Sequence, residues 1–313
     1  MKTIVLGPPG TGKTTTLLNL VDKYLKQTDP NRIGYFAFTQ KAAYEARDRA
    51  VEKFNLSEDD LPYFRTLHSL AFRRLGIQKQ NVMQKRHYAD LGNKLGFPVD
   101  YEENDQEMNG IFSTKSDYLR ILQLAKLRNI SFEKQYDLKE HTQDVEFNKL
   151  KIIAHELERY KKEYGLVDFN DMILKFIESD ASPKFDVVFV DEAQDLSLMQ
   201  WDMVKTIWNK TANNYIAGDD DQAIFKWAGA DVDSFIALDG KFVNLTQSYR
   251  IPAKIHDIAM KIIGKINNRI PKLWKPKMKQ GKVSIYSDFR DIDMSQGEWL
   301  ILARTRSLLD ELE

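Results

Sequence analysis

The sequence predicts an α/β protein built on a parallel sheet, and three apolar runs carry that prediction. Thr3-Ile4-Val5-Leu6 leads into Gly7-Pro8-Pro9-Gly10-Thr11-Gly12-Lys13-Thr14, after which Thr15 to Lys26 has helical character. Phe185 to Val190 ends in Asp191-Glu192, and Asn214-Tyr215-Ile216-Ala217 ends in Gly218-Asp219-Asp220-Asp221-Gln222. Short continuous apolar runs suit strands covered on both faces, and a parallel sheet gathers its functional residues at the carboxyl ends of its strands.

The first element is a phosphate loop, strand then G-x-x-x-x-G-K-T then helix. Its glycines let backbone amides converge on a phosphate, and the helix N-terminus adds partial positive charge. Lys13 reaches the β- and γ-phosphates and the Thr14 hydroxyl ligates Mg²⁺. Gly7, Pro8, Pro9, Gly10, Thr11, Gly12, Lys13, Thr14 and Thr15 are therefore the predicted nucleotide-binding residues. The second run delivers two carboxylates to the same sheet edge. Asp191 is expected to hold Mg²⁺, directly or through water, and Glu192 to orient and deprotonate the attacking water. In the third run three adjacent acids repel unless they are solvated or face a cation or a basic neighbour. Gln222 beyond them can sense a γ-phosphate without adding charge. Phe225 and Trp227 are flat side chains that can stack on unpaired bases, with burial in the core as the competing reading.

Composition narrows the function classes. The chain has 313 residues, 46 Lys+Arg against 46 Asp+Glu, and no Cys. Without Cys there is no disulfide framework, thiolate zinc site or cysteine nucleophile. No apolar run approaches the ~18 residues of a membrane span. MKTIVLGPPG turns into a Gly/Pro loop too early for a signal peptide, so the expectation is a cytoplasmic protein without a membrane partner. At ~100–200 residues per domain, the length alone suggests two domains.

The motifs GPPGTGKT, FAFTQKAAYEARDR, TLHSLAFR, DFNDMI, VVFVDEAQD, IAGDDDQAIFKWAGA and LTQSYRIP occur in the order seen in UvrD/Rep/PcrA-like superfamily 1 helicases. The resemblance runs from residue 3 to about 306. It implies a RecA-like P-loop NTPase fold that uses ATP and Mg²⁺ to move 3′ to 5′ on single-stranded DNA or at a single-strand/duplex junction. By position, Gln222 and Arg250 match γ-phosphate contacts. Phe38, Thr39, Lys41, Thr66, His68, Ser69, Phe225 and Trp227 fall in segments that hold a single strand. Repair, recombination and replication are the family's usual settings. Asp168 of DFNDM reads instead as a helix cap, with Asp171 favouring the same N-terminus.

The resemblance also orders the domains. Residues 1–75 and 166–250 form the RecA-like domain, 76–165 a strand-poor helical insertion, and 251–313 a linker and the start of a second RecA-like domain. Within 251–282, nine Lys and Arg face only Asp257, a local charge of +8 that leaves −8 for the remainder. Such a segment is a candidate contact for a DNA backbone, or simply a solvated helix and connector. Lys282 to Tyr286 and Glu298 to Thr305 read as strands. Later helicase motifs, including an arginine-bearing one, do not occur, nor does a Gln before the phosphate loop. The sequence thus reads as the N-terminal portion of a helicase that needs its C-terminal half or a partner protein. A nucleotide- and single-stranded-DNA-binding module without unwinding activity is the alternative.

Overall fold

The three apolar runs become strands of one sheet in the computed structural model, which describes residues 1–97, 99, 116–141, 144–303 and 307–310. β1 (Lys2–Leu6) leads to α1 (Lys13–Leu25), β2 (Ile33–Ala37), α2 (Gln40–Phe54), β3 (Phe64–Arg65) and α3 (Leu67–Arg74). Among the described residues four helices follow: α4 (Lys85–Leu95), α5 (Asp117–Leu127), α6 (Phe132–Asp137) and α7 (Phe147–Tyr164). α8 (Phe169–Glu178) then returns the chain to β4 (Val187–Asp191), α9 (Leu198–Trp208), β5 (Asn213–Gly218), α10 (Val232–Ile236) and β6 (Lys241–Asn244). β7 (Gln247–Pro252), α11 (Ala253–Ile263), β8 (Lys275–Lys277) and α12 (Ser307–Asp310) complete the elements.

The main sheet has the order β3-β2-β4-β5-β1-β6, and every neighbouring pair is parallel. Side chains alternate between its faces with period two. Ile33 and Tyr35 of β2 and Val187 and Phe189 of β4 pack with Leu17, Val21, Ala46 and Ala50 of α1 and α2. Phe36, Val188 and Val190 point the other way, onto Leu67, Ile173, Phe176, Met199 and Trp201. Since both faces are covered, the strands read as unbroken apolar runs. α1 lies over β4 and β5, which carries the start of that helix across to the end of β4.

The helical insertion leaves and rejoins the sheet domain at one point. Met83 N donates to Val167 O (2.9 Å) and Val167 N to Asn81 O (2.8 Å). Its helices share a core of their own around Leu119, Ile121, Leu150, Ile153 and Leu157. Asp168 and Asp171 form the capping box of α8, as the sequence suggested, with Asp171 N donating to Asp168 Oδ1 at 2.8 Å. The same two carboxylates take Lys126 of α5 and Lys161 of α7. Lys161 Nζ lies 2.8 Å from each, and Lys126 Nζ lies 2.9 Å from Asp171 and 3.3 Å from Asp168. The cap thus doubles as an ionic joint between insertion and sheet.

Beyond β6 the structure departs from the sequence reading. β7 and β8 pair in parallel as a separate two-stranded ladder. Residues 282–286 and 298–303 are not strands, and Arg304 and Thr305 lie outside the described residues. A strand needs a neighbour to take up its backbone groups, and no described segment pairs with either run. Ile285, Leu300 and Leu302 are accordingly exposed. No helix among the described residues is long and apolar enough to cross a membrane.

Burial alone would raise the Asp168 pKa, but the ammonium groups of Lys126 and Lys161 outweigh it and hold the carboxyl well below its usual range. A depressed carboxyl pKa contributes stability above about pH 4 that is lost as pH falls further. Lys161→Met, which leaves two buried carboxylates facing Lys126 alone, should cost about 3–5 kcal/mol in urea unfolding at pH 7. The variant should also show a shallower loss of stability below pH 4 than the parent chain.

Candidate nucleotide-binding site

The phosphate loop is built to receive an anion. Gly12 is the N-cap of α1 at φ 85°, and no side chain among the described residues caps the helix, so its first amides are left for a ligand. Thr11 closes the loop on itself, its Oγ1 donating to Pro8 O at 2.7 Å. Lys13 Nζ donates to Gly7 O at 3.1 Å and stands 3.5 Å from Glu192 Oε1. Thr14 Oγ1 donates to Asp191 Oδ2 at 2.8 Å, bringing the two predicted Mg²⁺ ligands into contact. Both are hard oxygen donors, as Mg²⁺ requires. No described cluster of three or more His, Cys, Asp or Glu side chains could hold a metal. A cation at Thr14 and Asp191 would therefore need donors beyond these two side chains.

Glu192 sits in the left-handed region at φ 51°, which turns the chain sharply at the strand end. Its amide donates to Asp191 Oδ1 at 3.0 Å, and its Oε2 accepts from Gln194 Nε2 at 2.9 Å. Burial and the adjacent Glu192 raise the Asp191 pKa, against the opposing effects of Thr14, Tyr35 and Lys13. Asp195 is pushed up to about 7 by burial and by Glu192. The site therefore crowds carboxylates that a bound cation would relieve.

β7 lies against the loop from the other side. Ser248 Oγ donates to Pro9 O at 2.7 Å and Tyr249 N to Gly10 O at 2.9 Å. Gly10 has φ +73°, and a Cβ there would meet Arg250 Cβ at 2.4 Å. Only glycine permits this approach. Arg250 is thus carried to the loop with its side chain exposed, and the Tyr249 ring stands 76% exposed beside it.

Gln222 reaches the site through a network. Its Nε2 donates to Asp219 Oδ2 at 2.6 Å, and Asp219 N donates to Gln194 Oε1 at 3.0 Å. Of the three ways to relieve their repulsion, solvation, a cation or a basic neighbour, the three acids have the basic neighbour. Lys272, its side chain 2% exposed, pairs with Asp219 and Asp221 at 3.1 Å each and with Asp220, and Arg269 forks onto Asp221 with two 2.6 Å bonds. Two of the nine cations in the basic segment are therefore turned inward rather than toward a partner.

The predicted DNA residues follow the carboxyl ends of β2, β3 and β5 along one sheet edge. Thr39 caps α2, accepting from Ala42 N (3.1 Å), and Thr66 caps α3, accepting from Ser69 N (3.2 Å). Lys41 is exposed, and Ser69 Oγ accepts from Arg65 at 3.3 Å. Phe38 is buried with its ring centroid 5.7 Å from Phe225, whereas Trp227 is 54% exposed. His68 lies under the surface, edge-on to Phe169, and burial lowers its pKa to about 4. Neither of its ring nitrogens has a hydrogen-bond partner among the described residues. Trp227 and Lys41 present themselves outward, while Phe38 and His68 support from beneath.

Sequence reasoning did not single out Tyr35, Gln194, Ser248, Tyr249 or Lys272. Gln194 and Ser248 lay inside motifs already singled out, so their positions were available. Tyr35 looked like one more apolar strand residue, and Lys272 like one lysine among many.

A glycine loop at a bare helix N-terminus, a lysine and a hydroxyl on it, and two carboxylates from a parallel strand are the features of a P-loop fold. The family model for the UvrD/REP helicase N-terminal domain matches residues 1–243, and the chain belongs to that family. It is similar to the ATP-dependent DNA helicase PcrA of Bacillus subtilis (strain 168), 26% identical over 324 residues covering 95% of this chain and 42% of that protein. It is also similar to DNA helicase II of Haemophilus influenzae, 28% identical over 329 residues covering 93% and 42%. The chain thus spans about two fifths of the length of these relatives. Among solved structures, VirB4 of Thermoanaerobacter pseudethanolicus aligns over 86% of this chain and 84% of its own at 12% identity, with a TM-score of 0.30, too slight a likeness to carry an argument.

Burial raises the Asp219 pKa, and Lys272 opposes that rise. A carboxyl whose pKa is raised by folding costs stability as pH climbs past its unfolded value near 4. Lys272→Met should therefore destabilise the chain by about 3–5 kcal/mol. Thermal unfolding should show a larger loss at pH 8 than at pH 5, and equal losses would remove the buried pair from this account.

Proposed function

We propose that the chain binds ATP with Mg²⁺ and works as an ATP-dependent DNA helicase motor of the UvrD class, moving 3′ to 5′ along single-stranded DNA. The observation that carries this reading is the convergence of Lys13, Thr14, Asp191, Glu192 and Arg250 on one loop. Thr14 and Asp191 would hold Mg²⁺, which when bound would supply positive charge to offset that of the phosphates. Lys13 exchanges its contacts with Gly7 O and Glu192 for the phosphates, which frees Glu192 to orient and deprotonate water. Arg250, beside the loop, and Gln222, at the end of the Asp219–Gln194 network, are the side chains that would meet the γ-phosphate. The strand of DNA runs along the sheet edge over Trp227, Lys41 and the caps of α2 and α3. Hydroxyl and amide donors there take phosphates while the indole stacks on bases without reading sequence. A cytoplasmic role in repair, recombination or replication at single-strand/duplex junctions fits such chemistry.

A second reading is a module that binds nucleotide and single-stranded DNA but does not unwind alone. It is favoured by the unit beyond β6, where the only strand pairing among the described residues is the β7–β8 ladder, and where Arg250 of β7 is the arginine brought to the loop.

Steady-state ATP hydrolysis with and without oligo-dT, alongside unwinding of a forked duplex, separates the two readings. Glu192→Gln should lower the stimulated rate about 10²–10⁴-fold while nucleotide still binds. Lys13→Ala should weaken nucleotide binding itself, and undiminished turnover in both variants would sink the site. Trp227→Ala should weaken oligo-dT binding by about 1–3 kcal/mol in fluorescence anisotropy, with little dependence on base sequence.

A further inference from the structure

Tyr35 is completely buried on the α1-covered face of the sheet, yet it carries a hydroxyl that apolar packing does not need. Its ring stacks on Phe64 at 5.1 Å between centroids and on Phe189 at 6.1 Å, contacts a phenylalanine would make equally well. In the β2–β4 register Tyr35 lies opposite Phe189 and Ala37 opposite Asp191. Asp191 is therefore the diagonal neighbour of Tyr35 on the same face, within reach of an aromatic side chain. The hydroxyl donates to Asp191 Oδ2 at 2.8 Å.

That carboxylate is held by three donors. Thr14 Oγ1 shares Oδ2 with Tyr35, and Glu192 N takes Oδ1. Thr14 belongs to the phosphate loop and Glu192 to the turn that must face water, so both donors sit where nucleotide acts. Tyr35 approaches from the core, clamped between two rings, and its direction is set before any ligand arrives.

We propose that Tyr35 is a positioning residue for the Mg²⁺ site, its buried hydroxyl fixing the Asp191 carboxylate in the orientation in which it meets Thr14. The proposal rests on the reading of Asp191 and Thr14 as the Mg²⁺ ligands. Hydrogen bonds that orient a ligating group typically contribute about 10–100-fold to metal affinity.

The test uses the 313-residue chain, a fluorescent N-methylanthraniloyl ATP analogue, and Mg²⁺ titrated after treatment with EDTA. In Tyr35→Phe the Mg²⁺ midpoint for tight analogue binding should rise roughly tenfold, while affinity for the analogue in EDTA stays unchanged. A purely structural tyrosine would alter unfolding and leave the midpoint in place. 3-Fluorotyrosine introduced at position 35 keeps a hydroxyl and should return the midpoint to within about twofold of the native value. Its ¹⁹F resonance should shift when Mg²⁺ joins the analogue, but not with the analogue in EDTA, a readout that survives even if the Phe variant does not fold. An unmoved midpoint in a folded Phe variant, or a ¹⁹F signal blind to Mg²⁺, overturns the proposal. Asp191→Asn separates this from the underlying reading. Should that variant retain the native midpoint, the metal site itself is misassigned; should it abolish the Mg²⁺ dependence while Tyr35→Phe does not move it, Tyr35 alone loses its role.

Discussion

The hydrogen bond between Thr14 and Asp191 is the contact on which the rest of the site depends. It joins the loop after β1 to the end of β4, two strands separated by β5, so it forms only when three parallel strands keep their register. That register comes from apolar burial on both faces of the sheet, a driving force indifferent to chemistry. The polar contact at the edge is thus fixed by hydrophobic packing several residues away. A one-residue slip of β4 would turn Asp191 to the opposite face and bring Val190 to the loop.

Placing carboxylates at a buried edge costs free energy unless each is matched by donors or cations. The protein meets this cost in three places with three arrangements. Asp191 takes neutral donors, Thr14 and Tyr35, which leaves its charge available to a metal. Asp219, Asp220 and Asp221 take Lys272 and Arg269, which consumes theirs. Asp168 and Asp171 take Lys126 and Lys161 and join the helical insertion to α8. Neutral donors stand where a ligand cation is expected, and protein cations stand where architecture is the purpose. Buried ion pairs add little net stability over apolar packing, so the two ionic clusters are better understood as fixing geometry.

What the sequence made legible was whatever depends on short-range spacing. The phosphate loop, the Asp191-Glu192 pair and the Asp168 cap each lie within one strand–turn–helix step, where residue order dictates position. Partners distant in the chain were not legible. Nothing in the run Ile33 to Ala37 distinguishes Tyr35 as a donor until β4 lies beside it. His68 falls in a segment that the resemblance assigns to a single strand, but its place on α3 turns it beneath the edge, against Phe169. The runs at 282–286 and 298–303 have strand composition, yet pairing is a property of a neighbour, and composition does not supply one.

The basic segment shows the same limit in electrostatic terms. Counted along the chain, residues 251–282 carry +8 and invite a phosphate backbone. Lys272 and Arg269 are nevertheless engaged by the acidic triplet, so the charge available to a polyanion is nearer +6 than +8. Their position makes the withdrawal informative. Ile270 N also donates to Asp220 at 2.7 Å, so this stretch is fastened by backbone as well as side chains to the turn that holds Gln222. From Gln222 the network passes through Asp219 and Gln194 to Glu192 without a break. Any displacement of the connector between α11 and β8 would be felt at Asp219, Asp220 and Asp221, and through Asp219 at both the proposed γ-phosphate sensor and the proposed general base. Charge that looked like a DNA footprint therefore serves in part to tie the segment beyond the sheet to the chemistry inside it.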